Sequence, residues 1–125
     1  MVLVFKKKIS GATTVSSTSH IASLAGIKVF STGGIGGIHR DFKKTLDISQ
    51  DLFSLRETPI IVVCSGVKSF LDVEKTVEAL ETFGVPVVGY RTRWFPLFYS
   101  SRSDIRLSHS VDNEIDIVNI YKHNI

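Results

Sequence analysis

The run Ile60-Ile61-Val62-Val63-Cys64, with the turn that follows it, limits the possible folds more than any other stretch. Apolar, largely β-branched residues between Pro59 and Gly66 read as a buried strand over 59–64. Beyond the turn Ser65-Gly66-Val67-Lys68, the residues Phe70, Val73, Val77, Leu80 and Phe83 recur at helical spacing, which predicts a helix over 70–83. Ser69 and Asp72 stand at capping-box spacing, and Gly84 then Pro86 close the element. A strand running through a short turn into a helix is half of a βαβ unit. It sets Lys68 at the carboxyl end of a strand, where open α/β sheets bind their ligands.

The rest of the chain repeats the alternation. A small-residue turn leads into a helix over 16–25, which Gly26 ends in the left-handed conformation. A short strand over 27–30 stops at the glycine-rich turn Thr32-Gly33-Gly34-Ile35-Gly36-Gly37-Ile38-His39-Arg40. A helix over 47–56 follows, capped by Asp47 or Ser49. The third strand covers 86–90, and 90–99 is aromatic and irregular. The last helix begins near the cap Asp112 and carries Ile115, Val118 and Tyr121 on one side. Strands separated by helices imply right-handed crossovers and a parallel sheet, so the class is α/β. Three short strands leave open edges, and partner strands are expected from missing sequence or another subunit.

Composition excludes several classes. With 125 residues, 43% hydrophobic and 22% charged, the chain suits one folded domain rather than a disordered tail. The net charge of +3 owes much to Lys6, Lys7 and Lys8. No aromatic stacking platform accompanies those lysines, so nucleic acid is not the expected partner, and mild basicity equally suits a phosphorylated small molecule. Cys64 is the single cysteine, which excludes a disulfide framework and suggests a reducing compartment such as the cytoplasm. At the end of a buried strand it reads as an inert packed thiol. No apolar stretch is long enough to span a membrane. The stretch from Met1 to Phe5 precedes its lysines, the wrong order for a secretory signal, and reads either as a short edge strand or as residue from an altered gene start.

Three turns carry candidate chemistry. Lys68, partly desolvated beside Val67 and Phe70 and followed by a helix start, would have a lowered pKa and could attack a sugar carbonyl as an amine nucleophile. The bland alternative is a surface lysine at a helix start. The glycine turn fits neither familiar phosphate motif: a dinucleotide fingerprint starting at Gly34 would need glycine where His39 stands, and a Walker loop is broken by Val67 between Gly66 and Lys68. Its peptide N–H groups could cradle an anion, or the glycines could serve a tight turn only. Asp47, Ser49 and Asp51 crowd one turn, and such oxygen ligands suit Mg²⁺ or Mn²⁺. His39 and Arg40 could pair with a phosphate or relay a proton, or simply be solvated.

Together the segments 11–18, 20–30, 32–40, 47–52, 62–69 and 80–90 resemble the pseudouridine-5'-phosphate glycosidases, the indigoidine synthase A-like family. The match is best over 11–90 and makes residues 1–125 a partial, incomplete domain of that fold. The resemblance implies cleavage of the C–C glycosidic bond of pseudouridine 5'-phosphate to uracil and ribose 5-phosphate. In that family a lysine attacks the anomeric carbon, opens the ring and forms an imine. The resemblance makes Lys68 the imine-forming residue, Asp47 the manganese ligand, and Ser49, Gln50 and Asp51 the lining of the substrate site. Val15 falls in a substrate-contacting loop, and His39 helps proton transfer. A homotrimer is implied by the same resemblance.

This sequence also departs from the pattern. The family's general-acid glutamate and a substrate-binding lysine lie upstream of the aligned residues, and a late asparagine lies beyond Ile125. Tyr90-Arg91-Thr92-Arg93-Trp94-Phe95-Pro96 stands where the family has an acidic Gly-Thr-Asp-Glu-Phe-Pro pattern. The alternative expectation is therefore an inactive fragment that serves as a phosphate-binding or assembly remnant.

Overall fold

A computed structural model of the chain describes residues 9–99 and 103–123. The expected edge strand at the start, and Lys6 to Lys8, lie outside these. The elements are α1 (Val15–Leu24), β1 (Val29–Thr32), β2 (Ile38–His39), α2 (Phe42–Thr45), α3 (Gln50–Glu57), β3 (Ile61–Cys64), β4 (Leu71–Asp72), α4 (Val73–Thr82), β5 (Val88–Tyr90), β6 (His109–Val111) and α5 (Glu114–His123). The expected α/β character holds, and parallel pairing is present in two places. β1 lies parallel to β3, with Val29 opposite Ile61 and Thr32 opposite Cys64, and β5 lies parallel to β6.

The single sheet expected from the sequence is not formed among the described residues. β5 pairs with β6, a strand the sequence reading missed, and β2 pairs antiparallel with β4. Beyond the strand ends, however, Val67 bridges Ile35 on one side and Leu97 on the other, both in parallel. The third partner of the central pair is thus the aromatic segment and not 86–90.

Two helices start later than their sequence patterns. Residues 71–72 are drawn into pairing with Ile38 and His39, so α4 begins at Val73. Its cap is Asp72, whose carboxylate accepts the Lys75 N–H, and Ser69 plays no part in it. Phe70 is left 58% exposed instead of packing inward. The rest of the expected face packs inward: α4 buries Leu80, with Thr76 beside it, and Val73, Val77 and Phe83 pack against the core. Similarly, Ile48 bridges Ile38 and the Asp47 carbonyl accepts the His39 N–H, which holds 47–48 extended. α3 therefore begins at Gln50, and Ser49 rather than Asp47 is its cap, accepting the Asp51 N–H. α1 ends as expected, with Gly26 at φ +79.

The core is formed by Val15, Ile35, Ile38, Leu52, Val67, Leu71, Leu80 and Phe95. It sits under the glycine turn. α5 contributes no buried residue, and its cap is Asn113, which accepts the Asp116 N–H, rather than Asp112. The expected inward face is also corrected: Ile115 and Val118 are exposed, whereas Ile117, Ile120 and Tyr121 line an apolar cleft of about 1390 Å³ between β3 and β5.

Candidate functional site

The glycine turn is the spine to which the candidate residues are tied. Ile35 donates its N–H to the Gly66 carbonyl and accepts the Lys68 N–H. Gly36 donates to Asp51 Oδ2 at 2.8 Å, and Gly37 accepts the Ser49 N–H at 2.9 Å. Ile38 donates to Thr76 Oγ1, and His39 donates to the Asp47 carbonyl. Consecutive residues of one turn thus set the positions of Lys68, Asp51, Ser49 and Asp47.

This settles what two of the glycines are for. A Cβ on Gly36 would lie 2.1 Å from Ser49 Oγ, and one on Gly37 would lie 2.4 Å from Thr76 Oγ1. The peptide N–H groups of Ile35, Gly36, Ile38 and His39 already have protein acceptors, so they do not form an anion cradle. Close packing of chain on chain is the reason for the small residues here. Thr76, fully buried on α4, was missed by the sequence reading because a threonine in a helix gives no sign of a distant backbone partner.

Asp51 is 3% exposed. Its Oδ1 accepts the Ser16 N–H at 2.9 Å and its Oδ2 accepts the Gly36 N–H. A buried carboxylate is tolerable when hydrogen bonds satisfy its charged form. Each oxygen accepts one peptide N–H, and together they clamp the first turn of α1, next to Val15, onto the glycine turn. Val15 is buried, Ser49 half-buried, and Gln50 exposed at the first position of α3.

Lys68 follows the fully buried Val67 and is itself half-buried. It opens a tight turn closed by the Leu71 N–H on the Lys68 carbonyl at 3.0 Å. Among the described residues its amine has no hydrogen-bond or ion-pair partner. The expected helix start does not lie immediately beside it, because 71–72 is strand. His39 connects the pieces: its ring lies 5.7 Å from that of Phe70 in the Lys68 turn, and its Nε2 lies 3.7 Å from Asp47 Oδ2. Their side chains are 45% and 57% exposed, so this contact, an ion pair only when the imidazole is protonated, is weak but open to a ligand. Among the described residues no group of three or more His, Cys, Asp and Glu side chains converges, and Asp47 is the exposed carboxylate in this turn.

The large apolar cleft is a separate feature, since none of Val15, His39, Asp47, Ser49, Gln50, Asp51 and Lys68 lines it. Cys64 does line it, and burial pushes its thiol pKa up, as befits an inert sulfur.

The family described as indigoidine synthase A like protein matches residues 1–125. A pseudouridine-5'-phosphate glycosidase of Alkaliphilus metalliredigens is 53% identical over 96% of this chain and 39% of its own length. One of Caldanaerobacter subterraneus is 50% identical over the same shares. An indigoidine synthase A-like protein of Thermotoga maritima superposes with a TM-score of 0.84 at 43% identity, over 90% of this chain and 37% of that one. The prealnumycin C-glycosynthase AlnA, solved with ribulose 5-phosphate, gives a TM-score of 0.86 at 46% identity, over 90% and 37%. The chain thus spans about two fifths of the length of the curated relatives it matches. Extending over the whole chain, with about half of the residues identical to the curated relatives over the matched stretch, this likeness shows that the chain belongs to the indigoidine synthase A-like family.

Proposed function

We propose that this chain carries the nucleophile and one wall of the substrate site of an enzyme that splits pseudouridine 5'-phosphate into uracil and ribose 5-phosphate. The observation that carries the reading is Lys68: a half-buried lysine whose amine has no partner among the described residues, on a turn fixed at both ends whose Phe70 meets the ring of His39. The names of the relatives support the C-glycoside chemistry, and the AlnA complex supports a phosphorylated sugar as ligand.

In this reading the unprotonated Lys68 Nζ attacks C1′ and displaces the ring oxygen, which takes a proton. The nitrogen lone pair then forms the C1′=N bond as the C1′–C5 bond to the base breaks, and the base carbon takes a proton. Water hydrolyses the imine, freeing the amine and ribose 5-phosphate. The ammonium formed on attack gives its proton to the ring oxygen, which frees the nitrogen lone pair, and the electrons of the broken C1′–C5 bond leave with the base carbon that the second proton neutralises. His39, oriented by Asp47, moves protons at the sugar, and Val15, Ser49 and Gln50 contact the substrate. Asp51 shapes that wall through Ser16 and Gly36. Asp47 would hold the expected Mn²⁺, which would supply positive charge for a phosphorylated substrate; one carboxylate suits a hard ion that keeps several waters.

Borohydride reduction with ribose 5-phosphate, followed by peptide mass mapping, tests the reading. A selective adduct on Lys68, absent in Lys68→Arg, is expected; labelling spread evenly over Lys43, Lys44 and Lys68 overturns it. In this reading the acid for the leaving base is a glutamate outside the matched segment. Uracil release by this chain alone should therefore be slower than by a full-length relative by about 10²- to 10⁴-fold. A homotrimer, checked by sedimentation, and a cytoplasmic setting complete the reading.

A further inference from the structure

We infer that Arg40 is a positioning residue that holds the Lys68 turn in its reactive geometry, an assignment that rests on the function proposed above. Arg40 follows His39 at the end of the glycine turn. Its Nη2 donates to the Ser69 carbonyl at 2.9 Å, and its Nε reaches toward the Leu71 carbonyl at 3.5 Å. These are the carbonyls of the second and fourth residues of the turn that Lys68 opens. The turn's own closure uses the remaining pair, Lys68 O and Leu71 N–H. His39 meanwhile sets its ring against Phe70, the third residue, and faces Leu71 across the β2–β4 pairing. Two neighbouring side chains thus grip every residue after Lys68 in the turn.

The chemistry of the guanidinium suits this task. It is planar, always charged and carries several N–H groups in a fixed fork, so it can hold two carbonyls at a set separation. A lysine at this position would offer a single movable point. Lys68 Nζ must meet one carbon atom of a sugar, and displacement of the turn by about 1 Å would lower the attack rate far more than it lowers affinity.

The test follows amide hydrogen exchange and Lys68 trapping in the full chain. Arg40→Ala is expected to speed exchange at the Leu71 amide about tenfold or more, the order expected for losing a charged hydrogen bond. It should also slow Lys68 trapping by a similar factor without changing the half-saturating ribose 5-phosphate concentration, and Arg40→Lys should restore only part of each. Arg56→Ala is the control, because Arg56 Nη1 also donates to a carbonyl, that of Phe83, away from the turn. It should leave trapping unchanged. Unchanged Leu71 exchange in Arg40→Ala overturns the clamp. Faster exchange with unchanged trapping, or equal loss of trapping in the Arg56 variant, overturns the link to Lys68. Absence of any Lys68 adduct in the parent chain overturns the proposed function, while the exchange measurement still decides whether Arg40 holds the turn.

Discussion

The stretch from α1 to α4 and the stretch from β5 to α5 are built on different terms. In the first, buried side chains and hydrogen bonds between distant residues act on the same spot: Leu52, Val67, Leu80 and Thr76 are nearly inaccessible, and Asp51 and Thr76 pin the glycine turn from two directions. In the second, α5 rests on an apolar cleft, buries no residue, and is tethered mostly by exposed groups. Tyr121 donates to the Pro59 carbonyl, Tyr90 donates to Glu114, and the Arg91 guanidinium lies near Glu114. All the candidate site residues lie in the first region. Positions that need accuracy have been placed where packing and polar contacts enforce one another, and the loosely held part carries none of them.

The largest contrast should come from truncating side chains. Leu52→Ala is expected to cost about 2–5 kcal/mol in urea unfolding, as for fully buried leucines elsewhere. Val118→Ala, on the exposed side of α5, should cost less than about 0.5 kcal/mol. Comparable values would mean that the two regions are packed alike.

Adding atoms tests the same region from the opposite side. Gly37→Ala drives a methyl against Thr76, at 2.4 Å from its Oγ1, where helix α4 cannot easily retreat. A loss of about 1–3 kcal/mol is expected. Thr76→Ser, which keeps the hydroxyl and removes the methyl, should recover part of it, and a lack of recovery would show that the clash is relieved elsewhere.

Asp51→Asn separates charge from shape. The amide supplies one acceptor oxygen where two peptide N–H groups need one each, and its NH₂ opposes the other. A cost of about 1–3 kcal/mol is expected, with faster amide exchange at Ser16 and Gly36. Exchange confined to other amides would remove the clamp.

In the second region a substitution should stabilise. Arg91 holds φ +55, a left-handed conformation in which side chains are strained, at the position where the family pattern has glycine. Arg91→Gly relieves that strain but gives up the contacts with Asp112 and Glu114. A net gain of about 0.5 kcal/mol is expected, whereas Arg91→Ala keeps the strain and loses the contacts, and should destabilise.

The smallest effect is in pH. The Tyr90 hydroxyl holds Glu114 below the usual carboxylate range, and the same bond holds the tyrosine above its usual value. A depressed carboxylate contributes above its unfolded pKa and is lost as pH falls through the folded one. A raised tyrosine contributes below its unfolded value, near 10, and is lost as pH rises through the folded one. Asp72, held low first by its bond to Lys75, behaves as Glu114 does. Acid should therefore weaken both regions, whereas alkali should loosen α5 through Tyr90 and, separately, β3 through the raised Cys64 thiol. Tyrosinate absorbance followed with amide exchange in α5 checks this, and Tyr90→Phe should abolish the alkaline step in α5.

Much of this was legible in the residues themselves. The apolar run into Cys64 had to be a strand, Gly26 had to end a helix, and the linked motifs from Gly11 to Tyr90 carried the family. What failed did so for one physical reason. Helical periodicity at Phe70 and carboxylates at Asp47 are local signals, and a backbone N–H or C=O with a distant partner can override them. The pairing of Leu71 and Asp72 with β2 delayed α4 and removed the helix start from beside Lys68, and the pull of β2 on Asp47 and Ile48 delayed α3. The sequence by itself determined the longer helices, the strand into Cys64, the family, and Lys68 as a candidate nucleophile. Only the tertiary structure decided that the glycines admit Ser49 and Thr76, that Asp51 faces inward, and that His39 meets both Asp47 and Phe70. Each depends on two segments far apart in the chain coming within bonding distance, which no local pattern of residue types records.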